Sequence, residues 1–351
     1  MIWQSIAGKG LNMTVKQKDI ALKTGFSLAV ISRALSSEKG KSNNLSEETR
    51  EHIRDIASQM GYKPNYHASC LRKGKLPVIG VFLPPWKGYL ICELIMGISA
   101  AADKCGLPLN FHFDMSLDSY GKFIDSMKGN GNSGIISYVP KLCSGPNEEI
   151  INKIISYKAD GGKIVFLNTL DYNFEGIPSV NVSEEHGGKL AAEYLLSKNC
   201  RHFHAFYFTS AIYTARANGF SKYLEERGIK AELKGFFGPK PGDYKEIIKA
   251  ANMIFKKAPP VSAGIFATAD VISKYILHEA AINRTVPGKD FHIVSYDKTV
   301  SENGPYEPPR IIQPFYDIGY NALIKLNSII ENKEEKNEIL NPFLTPGVSY
   351  V

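Results

Sequence analysis

The chain has 351 residues, of which 44% are hydrophobic and 22% charged, a composition typical of globular proteins with two or three domains. No apolar run approaches the roughly 20 residues that cross a bilayer, and residues 1–13 lack a basic segment followed by an apolar one. The five cysteines are scattered without a Cys-x-x-Cys pair, which disfavours a disulfide framework or a zinc site. We therefore expect a cytoplasmic protein with no metal, no cofactor and no membrane partner.

The excess positive charge is confined to the amino-terminal fifth of the chain. Residues 1–75 hold thirteen Lys and Arg against six Asp and Glu, whereas the rest of the chain holds 29 of each sign. A compact basic segment on a neutral body is typical of a nucleic-acid-binding head. The alternative is a solvated basic surface with no partner.

Three short helices are predicted in residues 14–64. Thr14, with a glutamine three residues later, has the spacing of a capping box, and Gly25 is suited to end the first helix. Ser27 predicts the start of a second helix and Ser46 the start of a third that ends near Gly61. Two short helices joined by a glycine turn and covered by a third predict a helix-turn-helix.

The second helix of such a unit enters the major groove of DNA. Arg33 can form a bidentate pair with guanine, a contact that discriminates by about 1–3 kcal/mol. Leu28 and Ala29 can touch a thymine methyl group, and Ser27 and Ser32 can bond phosphate oxygens. The alternative is that Arg33 forms a surface ion pair and the serines only cap helices.

Six motifs then carry a family resemblance. They are Lys18-Asp19-Ile20-Ala21, Gly25-Phe26-Ser27, Val30-Ile31-Ser32-Arg33-Ala34-Leu35, Ser46-Glu47-Glu48-Thr49-Arg50, Gly61-Tyr62-Lys63-Pro64-Asn65 and Leu71-Arg72. In this order they resemble the head and hinge of the LacI/GalR family of bacterial repressors. The resemblance implies a homodimer on a palindromic operator, because twofold-related heads present two half-sites.

The resemblance also implies a hinge over residues 65–76. Its Leu71 would enter the minor groove and kink the duplex; the alternative is an ordinary linker residue. The loop at 36–45 is longer than usual in that family, and Leu28-Ala29 replaces polar readers of some relatives, so the operator sequence does not transfer. The implied DNA-binding residues are Ser27, Leu28, Ala29, Ser32, Arg33, Ser36, Tyr62, Asn65, Ala68 and Leu71.

From Leu76 onward, apolar strands alternate with helices. This pattern predicts parallel sheets covered on both faces, in two lobes with a ligand at the carboxyl ends of the strands. The predicted strands are Val78–Leu83, Leu109–Phe113, Gly134–Ser137, Lys163–Leu167, Ser179–Val182, Phe203–Phe208, Ala263–Ala267 and His292–Tyr296.

This body is similar to the type I periplasmic-binding-protein fold that the family uses as its effector domain. The similarity implies that Arg216 donates to effector oxygens and that Asp297 accepts from ligand hydroxyls. Ala269 and Lys298 replace polar and acidic ligands of relatives, so we expect a less acidic pocket than in many sugar-binding members. The candidate effector residues are Trp86, Tyr89, Asn168, Arg216, Tyr244, Asp297, Gln313 and Phe315.

Each of these effector residues has an ordinary structural alternative. Arg216 could be a charge on the surface of a lobe, and Asp297 could be a helix cap or an ion-pair partner. The aromatic residues Trp86, Tyr244 and Phe315 could belong to the core or to loops.

The predicted fold class is α/β: an all-α helix-turn-helix head followed by two doubly wound parallel-sheet lobes. The predicted helix that begins at Leu90 is the candidate dimer interface, and the segment after Glu331 lacks the Leu heptads of a coiled coil. We expect the first residue of the protein to be either Met1 or Met13. The predicted boundaries are a tail at 1–13, the helix-turn-helix domain at 14–64, the hinge at 65–76 and the effector domain at 77–351, with a first lobe of about 77–172 and 305–330 and a second of about 173–304 and 331–351.

The predicted function is a ligand-responsive, sequence-specific transcriptional regulator, specifically a repressor, with a sugar or sugar derivative bound between its lobes. The alternative is a solute-binding sensor or receptor with a degenerate DNA-binding head. The chain has no Walker, Gly-x-Ser-x-Gly or His-Glu-x-x-His motif, so we do not expect an enzyme.

Overall fold

The computed structural model describes residues 15–35, 45–62, 78–130, 134–140, 147–168, 174, 176–237, 244–256, 263–297 and 306–349. The chain divides into two compact units, Met1–Gly74 and Lys75–Val351, called here the head and the body. The predicted tail at 1–13, the loop residues 36–44 and the hinge at 65–76 lie outside the described residues. None of the helices in the described ranges is long and apolar enough to cross a membrane.

Three helices form the described part of the head: α1 (Gln17–Thr24), α2 (Leu28–Ala34) and α3 (Glu47–Gln59). The first helix begins later than a capping box at Thr14 predicts, because the Asp19 carboxylate accepts from the backbone N–H of Lys16 at 2.7 Å. This contact makes Lys16 the residue before the helix. The predicted cap at Gly25 is confirmed, with φ of 76°.

The caps of α2 and α3 agree with the sequence prediction. The Ser27 hydroxyl accepts from the N–H of Val30 at 3.4 Å, and the Ser46 hydroxyl accepts from the N–H of Thr49 at 3.3 Å. Such caps satisfy backbone donors that the first turn of a helix leaves unpaired. They also fix where α2 begins, and therefore which of its side chains face outward.

A small apolar core holds the three helices together. It consists of buried side chains from every helix: Ile20, Ile31, Ala34, Ile53 and Ala57. Arg54 on α3 also donates from Nε to the carbonyl oxygen of Ala34 at 3.2 Å, so α3 is bonded to the last turn of α2. Because Ile31 and Ala34 are buried, α2 presents the opposite face to solvent.

The body contains two six-stranded sheets, each with helices. The strands are β1 (Ile79–Leu83), β2 (Leu109–Phe113), β3 (Ile135–Tyr138), β4 (Ile164–Leu167), β5 (Ser179–Val182), β6 (His202–Phe208), β7 (Ala231–Phe236), β8 (Ala263–Ala267), β9 (Phe291–Tyr296), β10 (Tyr306–Glu307), β11 (Arg310–Ile312), β12 (Glu338–Leu340), β13 (Phe343–Thr345) and β14 (Val348–Ser349). The helices are α4 (Tyr89–Cys105), α5 (Leu117–Gly129), α6 (Glu148–Ala159), α7 (Glu184–Ser197), α8 (Ala211–Glu225), α9 (Lys245–Lys256), α10 (Asp270–Ile282) and α11 (Phe315–Ile330).

The first sheet has the order β12-β5-β4-β3-β1-β2 and the second β13-β11-β9-β8-β6-β7. All neighbouring strands are parallel except β13, which runs antiparallel to β11. Strands β1 and β8 are buried along their whole length, as expected of parallel strands covered on both faces. The predicted α/β class with two parallel-sheet lobes is confirmed.

The chain crosses between the lobes three times: at residue 183, at 313–314 and at 341–342. Strand β5 lies in the first sheet and β11 in the second, so the crossings fall some ten residues beyond the predicted lobe limits near 172, 304 and 330. Both strands are buried runs that either sheet could accept, which is why sequence patterning misassigns them. The N–H of Ser183 donates to the carbonyl oxygen of Leu340 at 2.9 Å, which joins the first crossing to the third.

Candidate functional site

The outward face of α2 carries the predicted DNA-reading residues. Leu28, Ala29 and Arg33 are exposed, and Leu28 exposes 54% of its surface. Ser32 is half-buried. Ser27 uses its hydroxyl oxygen as the cap of the helix, which leaves the hydroxyl proton available for a phosphate oxygen.

Of the remaining predicted DNA-binding residues, the structure describes Tyr62. Tyr62 is half-buried against the apolar core of the head. Ser36, Asn65, Ala68 and Leu71 lie outside the described residues.

In the body, the structure places Arg216 and Asp297 together at the carboxyl ends of the second sheet. Arg216, on α8, is 3% exposed and donates from Nη1 to the carbonyl oxygen of Thr268 at 2.9 Å. The same nitrogen lies 3.9 Å from Asp297 Oδ2, and the guanidinium lies 3.6 Å from the centre of the Tyr296 ring. Arg216 is therefore a buried residue with fixed partners and not a charge on the lobe surface.

The principal partner of Arg216 is Glu184, which the sequence analysis does not identify as a site residue. Glu184 Oε2 accepts from Arg216 Nε at 2.6 Å and from the Tyr296 hydroxyl at 3.0 Å. Glu184 is 3% exposed and is the first residue of α7, directly after the first crossing. In sequence it resembles an ordinary acid of a helix first turn, which the helix dipole favours, so no local signal distinguishes it.

Glu184 also corrects the expectation of a less acidic pocket. The substitutions at Ala269 and Lys298 suggest fewer acids, but Glu184 brings a second carboxylate to Arg216 beside Asp297. Burial lowers the pKa of Arg216, but Glu184, Tyr296 and Asp297 outweigh that effect, and the pKa is raised overall.

Asp297 follows β9 in a left-handed backbone conformation, with φ of 62°. Its Oδ2 accepts from Gln313 Nε2 at 2.7 Å, whereas its Oδ1 is buried without a hydrogen-bond partner. Burial raises the pKa of Asp297 to about 6, against the opposing effect of Arg216. An unpaired buried carboxylate oxygen is costly, so this atom is a candidate for a ligand contact. Gln313, in the second crossing, holds the carboxylate in place.

On the first lobe, Asn168 and Tyr138 end neighbouring strands. Asn168, with φ of 47°, donates from Nδ2 to the Tyr138 hydroxyl at 3.0 Å and accepts from the N–H of Val182 at 3.1 Å. Trp86 packs edge-on against Tyr138, with 5.2 Å between the ring centres. Tyr138 is a second site residue that the sequence analysis missed, because it ends a strand that appears wholly apolar.

Electrostatic effects show that the two sets of strand ends face each other. Burial raises the pKa of Tyr138, and the charges of Glu184 and Asp297 on the other lobe raise it further. Burial likewise raises the pKa of Tyr89, with additional effects of Glu93 and Asp297. The carboxyl ends of the two sheets therefore lie near each other, and the region between them is called the cleft here.

Two of the predicted effector residues, Phe315 and Tyr244, pack in or beside the cores of the lobes. Phe315 is 3% exposed and belongs to the core of the first lobe. Tyr244 stacks on Tyr275, with ring centres 4.3 Å apart, beside the core of the second lobe. No group of three His, Cys, Asp or Glu side chains able to hold a metal ion occurs among the described residues.

Comparison with known proteins shows similarity to bacterial regulatory proteins. The model of the lacI family of bacterial regulatory proteins matches residues 16–65. The ribose operon repressor of Bacillus subtilis (strain 168) is 27% identical over 321 residues, covering 90% of this chain and 92% of that protein.

Two solved structures share the fold. The lac repressor dimer bound to operator and the anti-inducer ONPF matches with a TM-score of 0.65 at 19% identity, covering 97% of this chain and 100% of that one. The transcriptional regulator CelR–cellobiose complex matches with a TM-score of 0.62 at 17% identity, covering 95% and 99%. The matched family consists of regulatory proteins and not of enzymes. The head thus matches the lacI family of bacterial regulatory proteins, and the chain is similar to a ribose operon repressor along nine-tenths of its length.

Proposed function

We propose that the protein represses transcription by binding a palindromic operator as a homodimer, and that a sugar or sugar derivative bound between its lobes alters this binding. The observation that carries the proposal is the buried, unpartnered Oδ1 of Asp297 beside Arg216 in the cleft. A buried acceptor without a donor is the complement of a ligand hydroxyl.

Two further features of the cleft support a sugar. Trp86 exposes 46% of its surface beside Tyr138, so it can offer an apolar ring face to a sugar ring. Tyr89 and Tyr138 supply hydroxyl groups, and the raised pKa of each keeps its proton on the oxygen even above the ordinary tyrosine pKa. The names of two similar proteins, a ribose operon repressor and a regulator in complex with cellobiose, agree with this ligand class.

For the dimer, the outer face of α4 is the proposed interface. Its Met96 side chain is 57% exposed and Cys92, one turn earlier, is exposed as well. The opposite face of α4 packs on α11, because Leu94 and Ile98 belong to the same core as Ile318 and Leu323. Two copies related by a twofold axis could pair the exposed stripe and present two heads to half-sites of an operator.

Gln313 offers a route from ligand to DNA. It belongs to a segment that crosses between the lobes and bonds the carboxylate proposed to contact the ligand. A ligand that binds two lobe arrangements unequally shifts their populations, and coupling energies of this kind are about 1–3 kcal/mol.

The test is a mobility-shift titration of the full chain on DNA from upstream of its own gene, with a random duplex of equal length as the control. We expect salt-sensitive binding that prefers the upstream fragment and changes when a cleft-binding sugar is added. Absence of salt-sensitive binding to any duplex would leave the alternative function, a sensor with a degenerate head.

Oligomeric state is tested by sedimentation of wild type, Met96→Glu and Ile155→Glu. Ile155, on α6, is also 57% exposed and controls for adding a charge at an apolar surface position. We expect only Met96→Glu to weaken the dimer; equal behaviour of the two variants would exclude α4 as the interface.

A further inference from the structure

We infer that Glu184 sets the charge class of the ligand: by neutralising Arg216 inside the protein, it makes the cleft select neutral or cationic hydroxyl and amine donors over phosphorylated or carboxylated compounds. This inference rests on the proposed ligand site between the lobes. Without Glu184, a buried arginine at that edge would favour an anion, because a guanidinium matches phosphate and carboxylate geometry.

The charges at the second-lobe edge support this selection. Two carboxylates, Glu184 and Asp297, accompany one guanidinium, Arg216, within hydrogen-bond or ion-pair distance. The group as a whole therefore carries a negative charge when both acids are ionised. Bringing a second anion into a site of low polarity would add repulsion that water screens poorly.

The hydrogen-bonding capacity of the group agrees with its charge. Arg216 already donates from Nε to Glu184 and from Nη1 to the Thr268 carbonyl. The fully buried side-chain polar atoms of this group without a hydrogen-bond partner are Asp297 Oδ1 and the Thr268 hydroxyl oxygen. A carboxylate oxygen only accepts and a hydroxyl both accepts and donates, so Asp297 Oδ1 requires a donor from the ligand.

The first-lobe face experiences the same negative field. The charged groups that act on Tyr138 are Glu184 and Asp297, and those that act on Tyr89 are Glu93 and Asp297; all of them raise the tyrosine pKa. A ligand in contact with either tyrosine would therefore experience the negative charges of these acids.

The test measures ligand binding to the full chain by calorimetry, with Glu184→Gln and Glu185→Gln as matched variants. The Glu184→Gln change keeps an oxygen for Arg216 Nε but removes the charge, whereas Glu185 is the exposed neighbour on the same helix turn. The probes are D-ribose with ribose 5-phosphate, D-glucose with glucosamine, glucuronate and glucose 6-phosphate, and inorganic phosphate alone.

In the wild type we expect each phosphorylated or carboxylated compound to bind at least about tenfold more weakly than its neutral or amino counterpart. Glu184→Gln should shift the ratio of anion to neutral affinity by about tenfold toward the anion, and Glu185→Gln should leave it unchanged. If no sugar of the panel binds, Glu184→Gln should still bind inorganic phosphate more tightly than Glu185→Gln does.

Tighter wild-type binding of an anionic member, or identical anion binding by the two variants, would overturn the inference. Thermal melts report whether each variant is folded. If Glu184→Gln is unfolded, the wild-type ratios of anion to neutral affinity still test the inference. DNA is absent from these measurements, so a failure of operator binding would refute the proposed function without affecting the charge selection.

Discussion

Arg216 Nε donates to Glu184 Oε2 at 2.6 Å, and each of these residues is 3% exposed. Arg216 is therefore part of the internal structure of the second lobe as well as of the cleft. Removing one member of a buried pair leaves an uncompensated charge, at a cost of about 3–5 kcal/mol. Loss of effector response in an arginine variant would thus combine lost binding with lost stability.

The first prediction concerns this pair. Arg216→Met should lower the free energy of unfolding by about 3–5 kcal/mol, because Glu184 is left buried and unpaired. Adding Glu184→Met should recover much of that loss. Arg227→Met is the control, because Arg227 is exposed and lies over the Tyr223 ring at 3.5 Å. Urea denaturation of the wild type, Glu184→Met alone and the three variants above measures these energies, and strictly additive losses from Arg216→Met and Glu184→Met would contradict the coupling.

A second prediction follows from the pKa of Asp297, raised by burial from 3.8 to about 6. The folded state then holds a proton that the unfolded state has released, so the contribution of this group to stability falls as pH rises from about 4 to 6. The difference amounts to at most about 3 kcal/mol. Asp297→Asn should remove this pH dependence of stability, whereas Asp118→Asn, at an exposed ion pair, should leave it in place. Measurements of the unfolding free energy between pH 4 and 7 test both expectations.

The same titration should appear in ligand binding. Because the ligand is proposed to donate to ionised Asp297, affinity should weaken as pH falls through about 6. Calorimetry at a series of pH values tests this with the tightest neutral sugar found. A flat profile in the wild type would indicate that Asp297 is not the acceptor.

The third prediction concerns base reading by α2. Arg33→Ala should weaken binding to the specific fragment by about tenfold or more, with a much smaller loss on random DNA. Lys18→Ala on α1 removes an exposed charge from the same unit without touching α2. Mobility shifts at one fixed salt concentration give both affinities. Equal losses on the two DNAs would assign Arg33 to the phosphate backbone.

The fourth prediction concerns the contact between α4 and α11. A Cβ at Gly97 would overlap the backbone carbonyl of Tyr316, whereas a Cβ at Gly129 has nothing within 4 Å. Gly97→Ala should therefore destabilise the body by about 1–3 kcal/mol, and Gly129→Ala should be neutral or stabilise it by up to about 1 kcal/mol. Thermal melts of both variants measure this. A harmless Gly97→Ala would mean that the two helices do not approach so closely.

Elements with a strong local signal could be predicted from the sequence. The apolar runs at Leu109–Phe113 and Ala263–Ala267 are strands with the predicted bounds, and Ser27 and Ser46 cap helices as expected. What could not be predicted is which sheet accepts a buried strand, as β5 and β11 show. Packing between segments that are distant in sequence determines the neighbours of these strands, so no local pattern predicts them.

The site shows the same difference between residues with a sequence signal and residues whose role depends on packing. The similarity predicts Arg216 and Asp297 as site residues, and they lie together, 3.9 Å apart between Nη1 and Oδ2. Glu184 and Tyr138 have no such signal, because each acquires its role only when another element is packed against it: α8 for Glu184, and the end of β4 for Tyr138. Phe315 is a predicted ligand contact whose ring lies in the core of the first lobe.

The three passages of the chain between the lobes limit how one lobe can move against the other. A single connection would permit twisting or sliding in many directions. Two of the three connections are joined by the Ser183–Leu340 hydrogen bond. The lobes can rotate about an axis near the connections without stretching any of them. Opening and closing about that axis is thus the easiest deformation of the body, and a small molecule held by Asp297, which bonds Gln313 of the second crossing, would lie close to that axis.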